Sequence, residues 1–205
     1  HKRVLEGDKG ANTGGMGAIS PAPFADQELM NKIEERIVKP TVNGLKEEKI
    51  DYKGFIFIGL IKVGDDPFVI EYNVRMGDPE TEVVLPRIKT DLVDLFEATY
   101  CQDLDLINLE LDERSAATIM LVSGGYPEEY EKGKEIYGLD SVEESTVFHA
   151  GTKLQDGKVV TNGGRVLAIT SLDSDFKEAI KKSYQNIEKL SFNRMTYRTD
   201  IGFDL

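Results

Sequence analysis

A chain of 205 residues, 40% of them hydrophobic, can bury a core and holds one or two domains. It has no apolar run near the roughly 18 residues of a membrane-spanning helix, and no secretory leader is recognisable. A formal net charge of −12 disfavours nucleic acid as a general partner, because a polyphosphate is repelled overall.

Taken in chain order, residues 1–23 are rich in Gly, Asn, Ser and Pro around Asn12-Thr13-Gly14-Gly15-Met16-Gly17 and read as loop. The chain opens on His1 within a charged segment, so it is expected to be a piece of a longer protein. Asp26 has the chemistry of an N-cap, and Leu29, Ile33 and Ile37 recur at helical spacing. Pro40 interrupts or kinks that helix, and Val42 and Leu45 carry its apolar stripe towards Glu48. Residues 54–63 form a nearly continuous apolar run, and a Gly64-Asp65-Asp66-Pro67 turn joins them to Phe68–Val74. This predicts a β-hairpin whose first strand is buried on both faces.

Asp78-Pro79-Glu80-Thr81 predicts a helix start with Asp78 as N-cap, Pro79 at the first helical position and Glu80 in the first turn. Pro86 ends or bends that helix, and Thr90 or Asp91 caps the next, over 92–100. The single cysteine, Cys101, excludes an internal disulfide framework, fits a reducing cytoplasm and reads as a small packing residue. Acids accumulate through 103–112, which marks a subdomain boundary. Beyond it the pattern is β-rich, with strands over 116–122, 135–137, 147–154 and 165–170 and an Asp156-Gly157 hairpin tip. A helix over 173–190 closes the unit, with Phe176, Ile180, Tyr184, Ile187 and Leu190 on one face.

The chemistry concentrates at the end of the second hairpin strand. Side chains alternate along a strand, so Glu71, Asn73 and Arg75 share a face at ~6.6 Å intervals. Two oxygen ligands beside a fixed cation suit a Mg²⁺ that also holds a phosphate. The same pattern also occurs on solvated surface strands. The Asn12–Gly17 loop can turn successive N–H groups into an anion-binding concavity, or it is a structural turn. No Lys-Ser/Thr follows it, so it is not a Walker loop. Lys2 and Arg3 bring two permanent cations near it, or are surface charge. His149 lies in an apolar stretch and reads as a core histidine, and no nucleophile elbow is present. Metal ligands, an arginine and a phosphate-type loop together suit phosphoryl transfer.

Two segments acquire specificity as a pair. Residues 12–23, from Asn12 to Pro23, and residues 71–81, from Glu71 to Thr81, closely resemble the phosphoribosylamine–glycine ligase family of ATP-grasp enzymes. The His1-Lys2-Arg3 opening, Gly124-Gly125-Tyr126-Pro127 and Arg198-Thr199-Asp200-Ile201-Gly202 resemble the same family, in the same order. Met76 stands where that family usually carries Phe or Leu, a volume-conserving change.

The resemblance implies an α+β fold: the C-terminal part of an ATP-grasp core over 1–112, mostly antiparallel sheet with flanking helices. A small β-rich C-terminal domain with a closing helix follows over 113–205. It also implies a cytoplasmic ligase of purine synthesis that joins glycine to 5-phosphoribosylamine through a glycyl phosphate, releasing ADP and phosphate. The cofactors implied are ATP and Mg²⁺ or Mn²⁺. The partners are those two small molecules, with no nucleic acid or membrane, and a monomeric full-length form. In that pattern Glu71 and Asn73 hold the metal and Arg75 acts at the reacting centre. Lys2, Arg3, Asn12, Thr13, Gly14, Gly15, Gly77 and Asp78 bind substrate or phosphate. The fragment alone is expected to be inactive. A non-catalytic Mg–phosphate module and another ATP-grasp carboxylate–amine ligase are the alternatives.

Overall fold

A computed structural model describes residues 1–205 and shows an α+β chain of antiparallel strands and short helices. The first 20 residues are not all loop: they hold β1 (Arg3–Leu5), β2 (Lys9–Asn12) and β3 (Gly17–Ser20). Helix α1 (Gln27–Ile33) starts as expected, with the Asp26 carboxylate accepting from the Leu29 N–H at 2.8 Å. Glu34–Val38 then widens into a π-type turn before α2 (Lys39–Glu47). Pro40 explains it: a proline ring crowds the carbonyl four residues back and donates no N–H, so the winding must loosen.

The hairpin pairs β4 (Phe57–Val63) with β5 (Asp66–Asn73) across Gly64-Asp65, so Asp66 and Pro67, expected in the turn, are the first two residues of the second strand. Helix α3 (Thr81–Val84) begins three residues after Asp78, which is therefore not its N-cap. Asp91 does cap α4 (Leu92–Cys101), accepting from the Val93 N–H at 2.7 Å. Next come β6 (Ser115–Ser123), β7 (Ser145–His149), β8 (Thr152–Gln155), β9 (Lys158–Thr161) and β10 (Arg165–Asp173). Strands β7 and β8 replace the single strand expected over 147–154, and 135–137 makes only isolated bridges from Glu135 and Tyr137. The Asp156-Gly157 tip between β8 and β9 has positive φ at both residues, as a tight right-twisting hairpin requires. Helix α5 (Phe176–Ile187) is capped by Asp175 and starts three residues later than the pattern indicated, and β11 (Met195–Thr196) ends the series.

Two compact units result, and they interleave along the chain. The first comprises residues 1–21, 78–87 and 112–205; the second comprises 22–77 and 88–111. In the first, β6 is the hub of a five-stranded antiparallel sheet: it pairs with β10, β11 and β3, and β10 pairs with β7. Helix α5 packs on β6 and β10. This centrality buries Ala116, Ala117, Ile119, Met120, Leu121 and Val122 almost completely, facing Val166, Leu167, Ala168 and Ile169. Each large side chain so buried contributes about 1.5–3 kcal/mol.

The second unit contains α1, α2, the hairpin and α4. Here the expectation of a strand buried on both faces fails. Ile61, Val63, Phe68 and Ile70 are about half exposed or more, the last at 64%. Within this unit α1 packs on β5, and a two-stranded ribbon has too few neighbours to cover both its faces. His149 is exposed rather than core, and its Nδ1 lies 3.0 Å from the Thr152 hydroxyl. Cys101 is exposed at the end of α4 rather than packed.

Candidate functional site

In the second unit the polar strand end forms as the period of two requires. Glu71 stands opposite Gly59 in the ladder and Asn73 opposite Phe57, with a bulge between Gly59 and Leu60. A side chain at position 59 would collide with Glu71: its Cβ would lie 2.9 Å from the Glu71 Cγ. Gly59 thus makes room for the carboxylate. Arg75 Nη2 donates to Asn73 Oδ1 at 3.3 Å, and Nη1 donates to the Met76 carbonyl at 3.0 Å. The guanidinium is therefore anchored beside the two oxygen donors. No cluster of three or more acids, histidines or cysteines gathers into a metal cage. One carboxylate and one amide oxygen suit a Mg²⁺ that keeps water and takes its remaining ligands from phosphate.

In the first unit the glycine loop has the character of the structural turn, the second of its two readings, rather than of an anion concavity. Its successive N–H groups are already engaged. Thr13 N–H donates to the Lys2 carbonyl at 2.7 Å, Gly14 N–H to the Tyr126 hydroxyl at 3.2 Å, Gly15 N–H to Thr13 Oγ1 at 3.0 Å, and Met16 N–H to the His1 carbonyl at 2.8 Å. The glycines serve close approach. Gly15 has φ +136° and a Cβ there would lie 2.4 Å from Pro79 Cδ; at Gly14 it would lie 2.8 Å from Arg165 Cζ.

Arg165 in turn holds the 78–79 turn. Its Nη1 donates to the Asp78 carbonyl at 2.9 Å and lies 3.0 Å from Asp78 Oδ1. That ion pair is what the Asp78 carboxylate does in place of capping α3. Just beyond, Glu82 Oε2 is buried without a hydrogen-bond partner. Desolvation, with the charges of Asp78 and Glu80 behind it, pushes this carboxyl above the usual range, opposed by its backbone N–H and Arg165.

The residues singled out from sequence therefore fall into two groups. Glu71, Asn73 and Arg75 gather at the hairpin end, and the buried Gly77 follows them along the chain. Lys2, Thr13, Gly14, Gly15 and Asp78 gather with Arg165 and Tyr126. Arg3 turns instead to the Gly10 carbonyl at 2.8 Å, and Asn12 is exposed in β2 opposite Arg3. Arg165 is the residue the sequence reading missed. Its local signal was slight, since Gly163-Gly164 marks only the approach to a strand.

Comparison with known proteins decides the family. Residues 1–81 match the model for the ATP-grasp (A) domain of phosphoribosylglycinamide synthetase, and residues 116–204 match that for its C domain. The chain belongs to the phosphoribosylglycinamide synthetase family. A phosphoribosylamine–glycine ligase of Caldanaerobacter subterraneus subsp. tengcongensis is 48% identical, over 98% of this chain and 48% of that protein. A trifunctional purine biosynthetic protein of Gallus gallus is 43% identical over 99% of this chain and 20% of its own length. The crystal structure of the Thermotoga maritima phosphoribosylamine–glycine ligase superposes with a TM-score of 0.87 at 39% identity. It covers 97% of this chain and 49% of that one.

This member of the family spans about half the length of the single-function relatives it matches. The ATP-grasp match carries the glycine loop together with Glu71, Asn73 and Arg75; the C-domain match carries Tyr126, Arg165 and Arg198. No helix is long and apolar enough to cross a membrane.

Proposed function

We propose that the full-length protein is an ATP-dependent ligase that joins glycine to 5-phosphoribosylamine, giving glycinamide ribonucleotide, ADP and phosphate. Because this chain spans about half of its relatives' length, the activity is assigned to the whole protein and the chain alone is inactive. Residues 1–112 form part of the ATP-grasp core and residues 113–205 the C-terminal domain, in a monomeric enzyme of the cytoplasm. The supporting observation is the Glu71–Asn73–Arg75 array over Gly59, found in a chain that matches this family along its length.

Glu71 and Asn73 hold Mg²⁺ or Mn²⁺, which when bound neutralises charge on the ATP phosphates. Arg75, anchored on Asn73 Oδ1 and the Met76 carbonyl, stabilises anionic charge on the reacting carboxylate or phosphate. The Gly77-Asp78 turn and the loop with Lys2, Arg3, Asn12, Thr13, Gly14 and Gly15 hold substrate. Catalysis of such a transfer comes from positioning and electrostatics rather than from a protein nucleophile. Carboxylate activation gives a glycyl phosphate, and the phosphoribosylamine nitrogen displaces phosphate from its acyl carbon.

The test is ADP release by the full-length protein with glycine and phosphoribosylamine added singly and together. Release that needs both supports the ligase. ATP–Mg²⁺ binding without turnover would identify a non-catalytic module, and turnover with another carboxylate or amine a different ATP-grasp ligase.

A further inference from the structure

Three side chains distant in sequence meet at Gly14, each with hydrogen-bond donors to spare. Lys2 Nζ reaches the Gly14 carbonyl at 3.5 Å, a long contact that leaves most of its ammonium donors open. The Tyr126 hydroxyl accepts the Gly14 N–H at 3.2 Å, and its own O–H proton remains to be given. The Arg165 guanidinium lies against the glycine Cα where any Cβ would intrude, at 2.8 Å from Cζ. Asp78 engages only Nη1 of that group, so the Nε and Nη2 edge has no protein acceptor. Gly14 itself is exposed, so the three donors surround a reachable point.

We propose that Lys2, Tyr126 and Arg165 form an anion-binding triad around Gly14 that takes the phosphate monoester of the phosphoribosyl substrate. The proposal rests on the ligase reading and assigns within it the group that recognises the phosphate. The loop's own N–H groups are committed to protein acceptors, so recognition falls to side chains. A guanidinium edge, an ammonium and a hydroxyl supply more donors than the two oxygens of a carboxylate use, and suit the three terminal oxygens of a monoester. Asp78 and Glu82 face Arg165 with negative charge, and the Asp78 pair fixes the orientation of the fork. The missing Cβ of Gly14 is what lets the Arg165 guanidinium come this close to Lys2 and Tyr126.

The experiment compares the full-length protein with Lys2→Gln, Tyr126→Phe and Arg165→Lys, measuring KM for phosphoribosylamine, glycine and ATP separately. Tyr126→Phe keeps the ring and Arg165→Lys keeps a charge for Asp78, so the fold is retained. Each variant is expected to raise KM for phosphoribosylamine roughly ten-fold or more, with KM for glycine and ATP held within about two-fold. An unchanged KM for phosphoribosylamine, or a rise confined to ATP or glycine, overturns the proposal and leaves the ligase reading intact. Calorimetry with ribose 5-phosphate is the independent arm. Binding that Lys2→Gln weakens supports the triad even if the unmodified protein makes no glycinamide ribonucleotide. Absent binding, or equal binding in every variant, overturns the triad whatever the ligase assay shows.

Discussion

Arg198 grips Asp200 with a two-pronged fork: Nε donates to Oδ1 at 2.7 Å and Nη2 to Oδ2 at 2.9 Å. Its third nitrogen, Nη1, donates to Asp8 Oδ1 at 2.6 Å and to the Arg3 carbonyl at 3.3 Å, and the arginine side chain is wholly buried. Asp200 also accepts the Gly7 N–H, while Thr199 bonds Glu6. The end of the chain thus clasps the β1–β2 hairpin that leads into the glycine loop. Replacing Arg198 with Met strands two carboxylates and is expected to cost about 2–4 kcal/mol in urea unfolding, with Arg198→Lys losing less.

The same clasp sets a pH response. The Arg198 guanidinium holds the Asp200 carboxyl below the usual range, helped by the Gly7 N–H. A carboxyl whose pKa is depressed by folding stabilises the native state above its unfolded value and loses that contribution as pH falls through its folded value. The acid limb therefore lies below about pH 4. Asp200→Asn is expected to be less stable at neutral pH and to show a shallower limb in acid titrations of the unfolding midpoint.

Glu82 predicts the opposite sign. Its pKa is raised by folding, so its cost is absent below the unfolded carboxylate value and grows as pH rises through the folded one. Glu82→Gln removes the charge from an unpartnered buried oxygen. Its melting temperature is expected to exceed that of the unmodified protein at pH 7, with the difference closing below about pH 4. A lower melting temperature at pH 7 would mean that the Glu82 carboxylate does not destabilise the fold.

Gly59 provides a test of the proposed metal role of Glu71 and Asn73 without touching either residue. Gly59→Ala places a Cβ 2.9 Å from the Glu71 Cγ and must displace that side chain. In the full-length protein the Mg²⁺ concentration for half-maximal turnover is expected to rise several-fold while KM for glycine stays level. An unchanged Mg²⁺ requirement would remove Glu71 from the metal site.

What was legible in the sequence was local. Asp26 and Asp91 cap helices because a short carboxylate reaches N–H groups two or three residues on. Asp156-Gly157 turns a hairpin because both positions need positive φ. Glu71, Asn73 and Arg75 share a face because strands alternate. What was hidden depends on distant partners. Gly17 pairs with Ile119, so β3 is a strand only through β6, and its four residues, Gly-Ala-Ile-Ser, are too few to show a pattern of their own. The apolar run of β4 reads as buried, but burial depends on what covers a strand. Arg165 gives no periodic signal at all, since it meets Gly14 and Asp78 through tertiary contact alone.

The proposed ligase activates the glycine carboxylate by phosphorylation before the amine attacks. Glycine carrying ¹⁸O in both carboxylate oxygens, turned over with ATP and phosphoribosylamine, tests it directly by mass analysis of the products. One labelled oxygen is expected in the released phosphate and one in the new amide. Phosphate free of label, with ADP formed, would contradict it.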